Sequence, residues 1–140
     1  MKKDTVKKTT STKKKAIEEK TTEVVEEVIE LTPAEIAAEK LKEMGAQNVL
    51  ISMGKDGALL VSEDNQVLIS SVAKGEVVNS VGAGDSMVAG FISGYLKSQN
   101  YEDALRLGAA SGGATAFSSD LAIREFIDKL VKEIKIQKIK

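Results

Sequence analysis

The chain has 140 residues, 42% of them hydrophobic and 29% charged, with a net charge of −1. That length holds one domain with a modest core and excludes two. With no Cys there are no disulfides or thiolate metal sites, which fits a reducing cytoplasm. With no His there is no imidazole acid–base chemistry, so carboxylates and lysines are left to move protons.

The small net charge hides an asymmetry. Residues 1–20 carry eight Lys and three acidic residues, whereas the remaining 120 carry 12 basic and 18 acidic ones. A basic head suggests nucleic acid or an anionic membrane as partner. "MKKDTVKKTTSTKKKAIEEKTT" has no aromatic to stack a base, no arginine, and no apolar run of signal-peptide or membrane-spanning length. It therefore reads as a solvated, disordered leader, with neither nucleic acid nor membrane as partner.

"EVVEEVIEL" follows, with Val24, Val25, Val28 and Ile29 at helical spacing, although β-branched residues weaken a helix there. The leader then ends at residue 31. Thr32 as N-cap, Pro33 at the first helical position and Glu35 closing a capping box predict a helix to about Met44, stopped by Gly45. Asn48–Met53, "NVLISM", reads as a buried strand of parallel type, and "GKDG" turns the chain after it. "ALLVS" and "QVLISS" form a hairpin across "EDNQ", and Val77–Val78 form a short strand.

Beyond Asp85 the apolar residues Val88, Phe91, Ile92, Tyr95 and Leu96 mark an amphipathic helix. A second helix, about Tyr101 to Phe117, contains "LGAASGGATAF", whose small residues imply closely packed backbones or a ligand against the helix. A last helix places Ile123, Phe126, Ile127, Leu130, Val131 and Ile134 on one face, and "EIKIQKIK" ends as a short basic strand. The class is α/β.

The chemistry concentrates in "NSVGAGDSMVAGF", Asn79–Phe91. Gly82 and Gly84 permit positive φ and let a ligand approach the backbone closely. The turn opens a helix, whose unpaired N–H groups and positive dipole end suit a phosphate. Asp85 stands at its entrance. An aspartate is too weak a base to ionise a sugar hydroxyl outright, but it can orient one and accept its proton late in phosphoryl transfer. The alternative is that Asp85 only stabilises the helix N-terminus, by roughly 0.3–1 kcal/mol. "SMGKDG", Ser52–Gly57, ends a strand with two glycines and a lysine. It is either a plain hairpin turn or, beside Gly82–Asp85, the second wall of a phosphate site.

"NSVGAGDSMVAGFI" resembles the C-terminal signature of the ribokinase-like (phosphofructokinase B type) carbohydrate kinases. Together with "GAQNVLISMGKDGALLVSEDNQV" and "AASGGATAFSSDLA", it is most similar to the 1-phosphofructokinase branch, with tagatose-6-phosphate kinases as near relatives. The resemblance covers about residues 34–138. It implies the C-terminal part of a ribokinase-like doubly wound sheet with flanking helices in residues 32–140, the N-terminal half and lid being absent.

By position, the resemblance makes Asp85 the catalytic base, with the amides of Ala83, Gly84 and Asp85 forming an anion hole. Ser52, Gly54, Lys55, Gly57, Gly82 and Gly84 would line the ATP phosphates, and Ser111 and Gly112 would lie near the adenine. The implied cofactors are ATP and Mg2+ held through the nucleotide phosphates, with no protein metal ligands. The implied reaction is phosphorylation of a sugar phosphate, fructose 1-phosphate to fructose 1,6-bisphosphate. Sequence features of the sugar-binding half and of an Asn-x-x-Glu element are not recognisable. A truncated nucleotide-binding module without turnover is therefore the alternative, and self-association or docking onto a missing kinase half is expected.

Overall fold

A computed structural model describes residues 30–140. The expected helix over 23–31 and the disordered leader lie outside these residues, apart from Glu30 and Leu31, which are not helical. Pro33–Lys140 form one compact unit.

Helix α1 spans Pro33–Glu43. It stops where expected. Gly45 takes φ 108°, its N–H donates to the Lys42 carbonyl, and the Ala46 N–H donates to the Leu41 carbonyl. These paired bonds are the Schellman arrangement, which a left-handed glycine allows without a Cβ penalty. Strand β1 (Val49–Ser52) leads through a single 3-10 turn, Gly54–Asp56, into β2 (Ala58–Val61), which forms a hairpin with β3 (Val67–Ser70). The short basic strand at the end is present as β4 (Ile136–Lys138), paired with β3.

The four strands lie in the order β1-β2-β3-β4, every neighbouring pair antiparallel. The parallel-type strand expected at Asn48–Met53 is thus an antiparallel edge strand among the described residues. Its burial also falls along its length: Val49 is buried, Leu50 and Ile51 are half-buried, and Ser52 is exposed. An apolar run cannot report which neighbour a strand will take, because pairing is settled by residues distant in sequence.

Val77 and Val78 are not a strand either, and both are exposed. The N–H groups of Val78 and Asn79 donate instead to the Ala116 carbonyl. These bonds tie the segment to a helix end, where carbonyls lack intrahelical partners, rather than to a ladder.

Helix α2 (Ala83–Ser98) and helix α3 (Tyr101–Ala116) form the tightest pairing in the fold. Their glycines explain it. A Cβ on Gly94 would lie 2.9 Å from the Ala104 Cα, and one on Gly108 2.9 Å from the Met87 carbonyl oxygen. Helix α4 (Arg124–Val131) packs on α3 through Leu130, with Ile134 just beyond it buried in the same cluster.

The sheet is covered on both faces. Ala38 of α1 joins Val49, Leu59, Val61 and Val67 on one side. Leu105 of α3 joins Ala58, Leu60 and Leu68 on the other, with Leu50, Met87 and Phe91 packed around them. Leu59, Leu60, Leu68 and Leu105 are almost fully buried, each contributing roughly 1.5–3 kcal/mol of transfer free energy.

Candidate active site

Helix α2 begins at a turn built by three local devices. The Asn79 side-chain carbonyl accepts from the Val81 N–H at 3.0 Å, an Asx turn of the kind that short amide side chains make two residues on. Gly82 is the N-cap at φ 79° and ψ −2°, in left-handed backbone that favours glycine. The Ser86 N–H then donates to the Gly82 carbonyl at 2.9 Å, closing the first helical turn.

Not all the amides expected in the anion hole are free. The Ala83 N–H donates to the Ser80 carbonyl at 3.2 Å. The Gly84 and Asp85 N–H groups have no hydrogen-bond acceptor among the described residues. They stand at the positive end of a 16-residue helix, where two unpaired donors favour an anion. Gly84 has open space where a Cβ would be, and Asp85 is exposed. A phosphate fits that donor set. Among the described residues no three His, Cys, Asp or Glu converge.

The second expected wall is also a turn built on glycines at positive φ. Gly54 and Gly57 have φ 56° and 90°, and the Met53 N–H donates to the Gly57 carbonyl at 2.8 Å. A Cβ on Gly57 would strike the Ser70 carbonyl, so only glycine fits there. Ser52, Lys55 and Asp56 are exposed. The sheet register places Ser52 opposite Ala58 and Ala58 opposite Ser70. The connection to α2 leaves β3 just past Ser70, at the end of the sheet that carries the Ser52–Gly57 turn.

Ser111 and Gly112 are placed differently. Ser111 is buried, and its hydroxyl donates to the Leu107 carbonyl at 2.8 Å. It opens onto a groove of about 290 Å3 between α2, α3 and α4, together with Ser86, Ser93, Lys97, Thr115 and Arg124. A Cβ on Gly112 would lie 3.0 Å from the Ala83 carbonyl oxygen. Gly112 thus lets α3 come close beneath the first turn of α2, the packing alternative for this small-residue helix.

Sequence patterning gave no warning of two supports. The Thr115 hydroxyl donates to the Ser86 hydroxyl at 2.9 Å, bracing the residue after Asp85. The Ala116 carbonyl holds Val78 and Asn79 before the turn. Only the Asx turn has a readable signal, an Asn two residues before the N–H it caps.

The family model for pfkB family carbohydrate kinases matches residues 18–123. The 1-phosphofructokinase of Bacillus subtilis is 50% identical over 100 residues, covering 71% of this chain and 33% of that protein. The D-tagatose-1-phosphate kinase of Bacillus licheniformis is 40% identical over 97 residues, covering 69% and 32%. Among solved structures, a Staphylococcus aureus protein assigned as a phosphofructokinase superposes with a TM-score of 0.73 at 34% identity, covering 84% of this chain and 39% of that one. Arabidopsis thaliana ribokinase, solved with ribose and ATP, superposes with a TM-score of 0.64 at 25% identity, covering 72% and 35%. The α/β fold is thus ribokinase-like, and the chain spans about a third of the length of the curated relatives it matches. The chain belongs to the pfkB family of carbohydrate kinases.

Proposed function

We propose that this chain is the nucleotide-holding and proton-accepting part of an ATP-dependent sugar-phosphate kinase, and that Asp85 is its base. The reading places the chain in the C-terminal part of the fold, on the Asn79–Ile92 signature. The observation that carries it is the pair of unpaired Gly84 and Asp85 amides at the start of α2, with the Asp85 carboxylate exposed at the same point.

Bound there, ATP with its Mg2+ supplies the phosphoryl group, the ion held by the nucleotide phosphates. The Gly84 and Asp85 N–H groups hold the oxygens of that group, and the helix dipole favours the charge that develops on them. Lys55 and the Gly54 and Gly57 backbone face the rest of the phosphate chain. Asp85 orients the acceptor hydroxyl and takes its proton as the new O–P bond forms and ADP leaves. Similarity to a 1-phosphofructokinase at 50% identity supports fructose 1-phosphate as acceptor. Similarity to a D-tagatose-1-phosphate kinase at 40% makes the tagatose ester the competitor.

A second reading is a nucleotide-holding module without turnover. One observation favours it: the chain spans about a third of its relatives, and phosphoryl transfer depends on positioning two substrates together. An assay of ADP release with fructose 1-phosphate or tagatose 1-phosphate, on wild type and Asp85→Ala, separates the two. Turnover lost by a factor of at least about 10² in Asp85→Ala supports a base at this position. MgATP binding without turnover supports the module, and absence of both contradicts both readings.

A further inference from the structure

Helices α2 and α3 run antiparallel and touch through glycine. Gly94 meets the Ala104 backbone, Gly90 meets Ser111, and Gly112 lies against the Ala83 carbonyl. A glycine offers no Cβ for a neighbour to catch on. Such contacts fix the spacing of the two helices more firmly than their register along the axes. The register matters at the first turn of α2, because the unpaired Gly84 and Asp85 amides move with it.

A directional bond stands at that turn. Among the described residues, the Thr115–Ser86 pair is the only side-chain hydrogen bond that joins two helices. Helical hydroxyls commonly return to the carbonyl four residues back. Ser98, Ser111 and Ser118 do so, bonding to the carbonyls of Gly94, Leu107 and Ala114. Thr115 does not. Its almost fully buried hydroxyl donates to Ser86 and accepts from the Ala122 N–H at 3.4 Å. The loop that carries Ala122 also lays Leu121 beside the N-cap, since a Cβ on Gly82 would lie 3.7 Å from the Leu121 side chain. Thr115 thus joins α3, the loop after it and the first turn of α2.

We propose that Thr115 is a positioning residue for phosphate binding. Its hydroxyl, acting through Ser86, fixes the register of α2 on α3 and with it the aim of the Gly84 and Asp85 N–H groups. The proposal rests on the reading of this turn as a phosphate seat, and it names the residue that holds the seat in place. Donors reach phosphate oxygens over about 2.7–2.9 Å, so a slip of the turn by about 0.5–1 Å spoils both bonds together. Ser86 is half-buried and opens onto the groove between α2, α3 and α4. Without the Thr115 hydroxyl it is therefore hydrated rather than left unsatisfied. The Thr115 hydroxyl then counts for binding more than for stability.

Three variants of the full chain separate a positioning role from a structural one. Thr115→Val keeps the shape and removes the hydroxyl. Thr115→Ser keeps the hydroxyl and removes a buried methyl, and Ser86→Ala removes the acceptor while leaving the Ala122 bond. Melting temperature and MgATP affinity in calorimetry are expected to diverge. Thr115→Val melts near the wild type but binds at least about fivefold more weakly, whereas Thr115→Ser melts lower and binds as the wild type does. Ser86→Ala must match Thr115→Val in affinity, and the double variant Thr115→Val/Ser86→Ala must lose no more than either alone. Wild-type affinity in Thr115→Val, a further loss in the double variant, or affinity that follows melting temperature across the series overturns the proposal. A wild-type chain that binds no MgATP contradicts the phosphate reading instead. The register is then read from ligand-free 15N–1H spectra, where the Gly84 and Asp85 resonances must move in Thr115→Val and return in Thr115→Ser. Unmoved resonances overturn the proposal.

Discussion

At the residue scale, the two glycines of the helix turn have separable jobs. Gly82 supplies left-handed backbone at φ 79°, a conformation that any other residue except Asn or Asp enters at a cost. Gly84 is inside the helix with open space around its missing Cβ. Its replacement by Ala is therefore tolerated by the fold, and Ala is favoured over Gly in a helix by roughly 1 kcal/mol. On the phosphate reading the same methyl group obstructs the approach to the free amides. Gly84→Ala is expected to keep or raise the melting temperature while weakening MgATP binding at least fivefold in calorimetry. Equal affinity in the variant counts against an anion seated at these amides.

At the element scale, α2 shows where periodicity misleads. Val88, Phe91, Ile92, Tyr95 and Leu96 correctly signal a helix, but Val88, Ile92 and Leu96 are not the side that meets the rest of the described fold. That side is built from Met87, Gly90, Phe91 and Gly94, with glycine at the two positions where α3 approaches too closely for a Cβ. Apolar periodicity marks faces that will be buried, and it cannot say which partner buries which face. The small-residue run of α3 carries the complementary half of this signal. A Cβ on Gly90 would lie 2.8 Å from the Ser111 Cβ and 2.9 Å from the Leu107 carbonyl oxygen. Gly90→Ala is therefore expected to destabilise the chain by about 1–3 kcal/mol in urea unfolding, the usual range for overpacking. A loss under 0.5 kcal/mol would show that the two helices slide apart at little cost.

The far end of the same helix pair has its own lock. Tyr95 and Tyr101 stack with ring centroids 4.9 Å apart, and the Tyr101 hydroxyl donates to the Glu63 carboxylate at 3.0 Å. Burial, then the neighbouring Tyr95 and Glu63, raise the Tyr101 phenol well above its usual range, so it remains a donor at any ordinary pH. This contact joins the α2–α3 connection to the β2–β3 hairpin, and nothing in the sequence pairs residues 38 positions apart.

At the scale of the whole molecule, local chemistry was readable and long-range pairing was not. The α1 stop at Gly45 and the hairpin from Ala58 to Ser70 each depend on residues close in sequence, and each is present. The edge position and antiparallel pairing of β1, and the coil at Val77–Val78, depend on what lies across the sheet or at the end of α3. The site divides in the same way. The Gly82–Asp85 turn was legible because a glycine turn opening a helix is a local arrangement, whereas the Thr115–Ser86 brace and the Ala116 carbonyl's hold on Val78 and Asn79 needed the folded chain.

The kinase reading requires a nucleotide phosphate on the first turn of α2. Titration of the isotope-labelled chain with MgATP, followed amide by amide in 15N–1H correlation spectra, tests it most directly. The Gly84 and Asp85 amides are expected to shift most, with Gly54 to Gly57 shifting in the same saturable titration. Shifts confined to other elements, or none at millimolar MgATP, would contradict it.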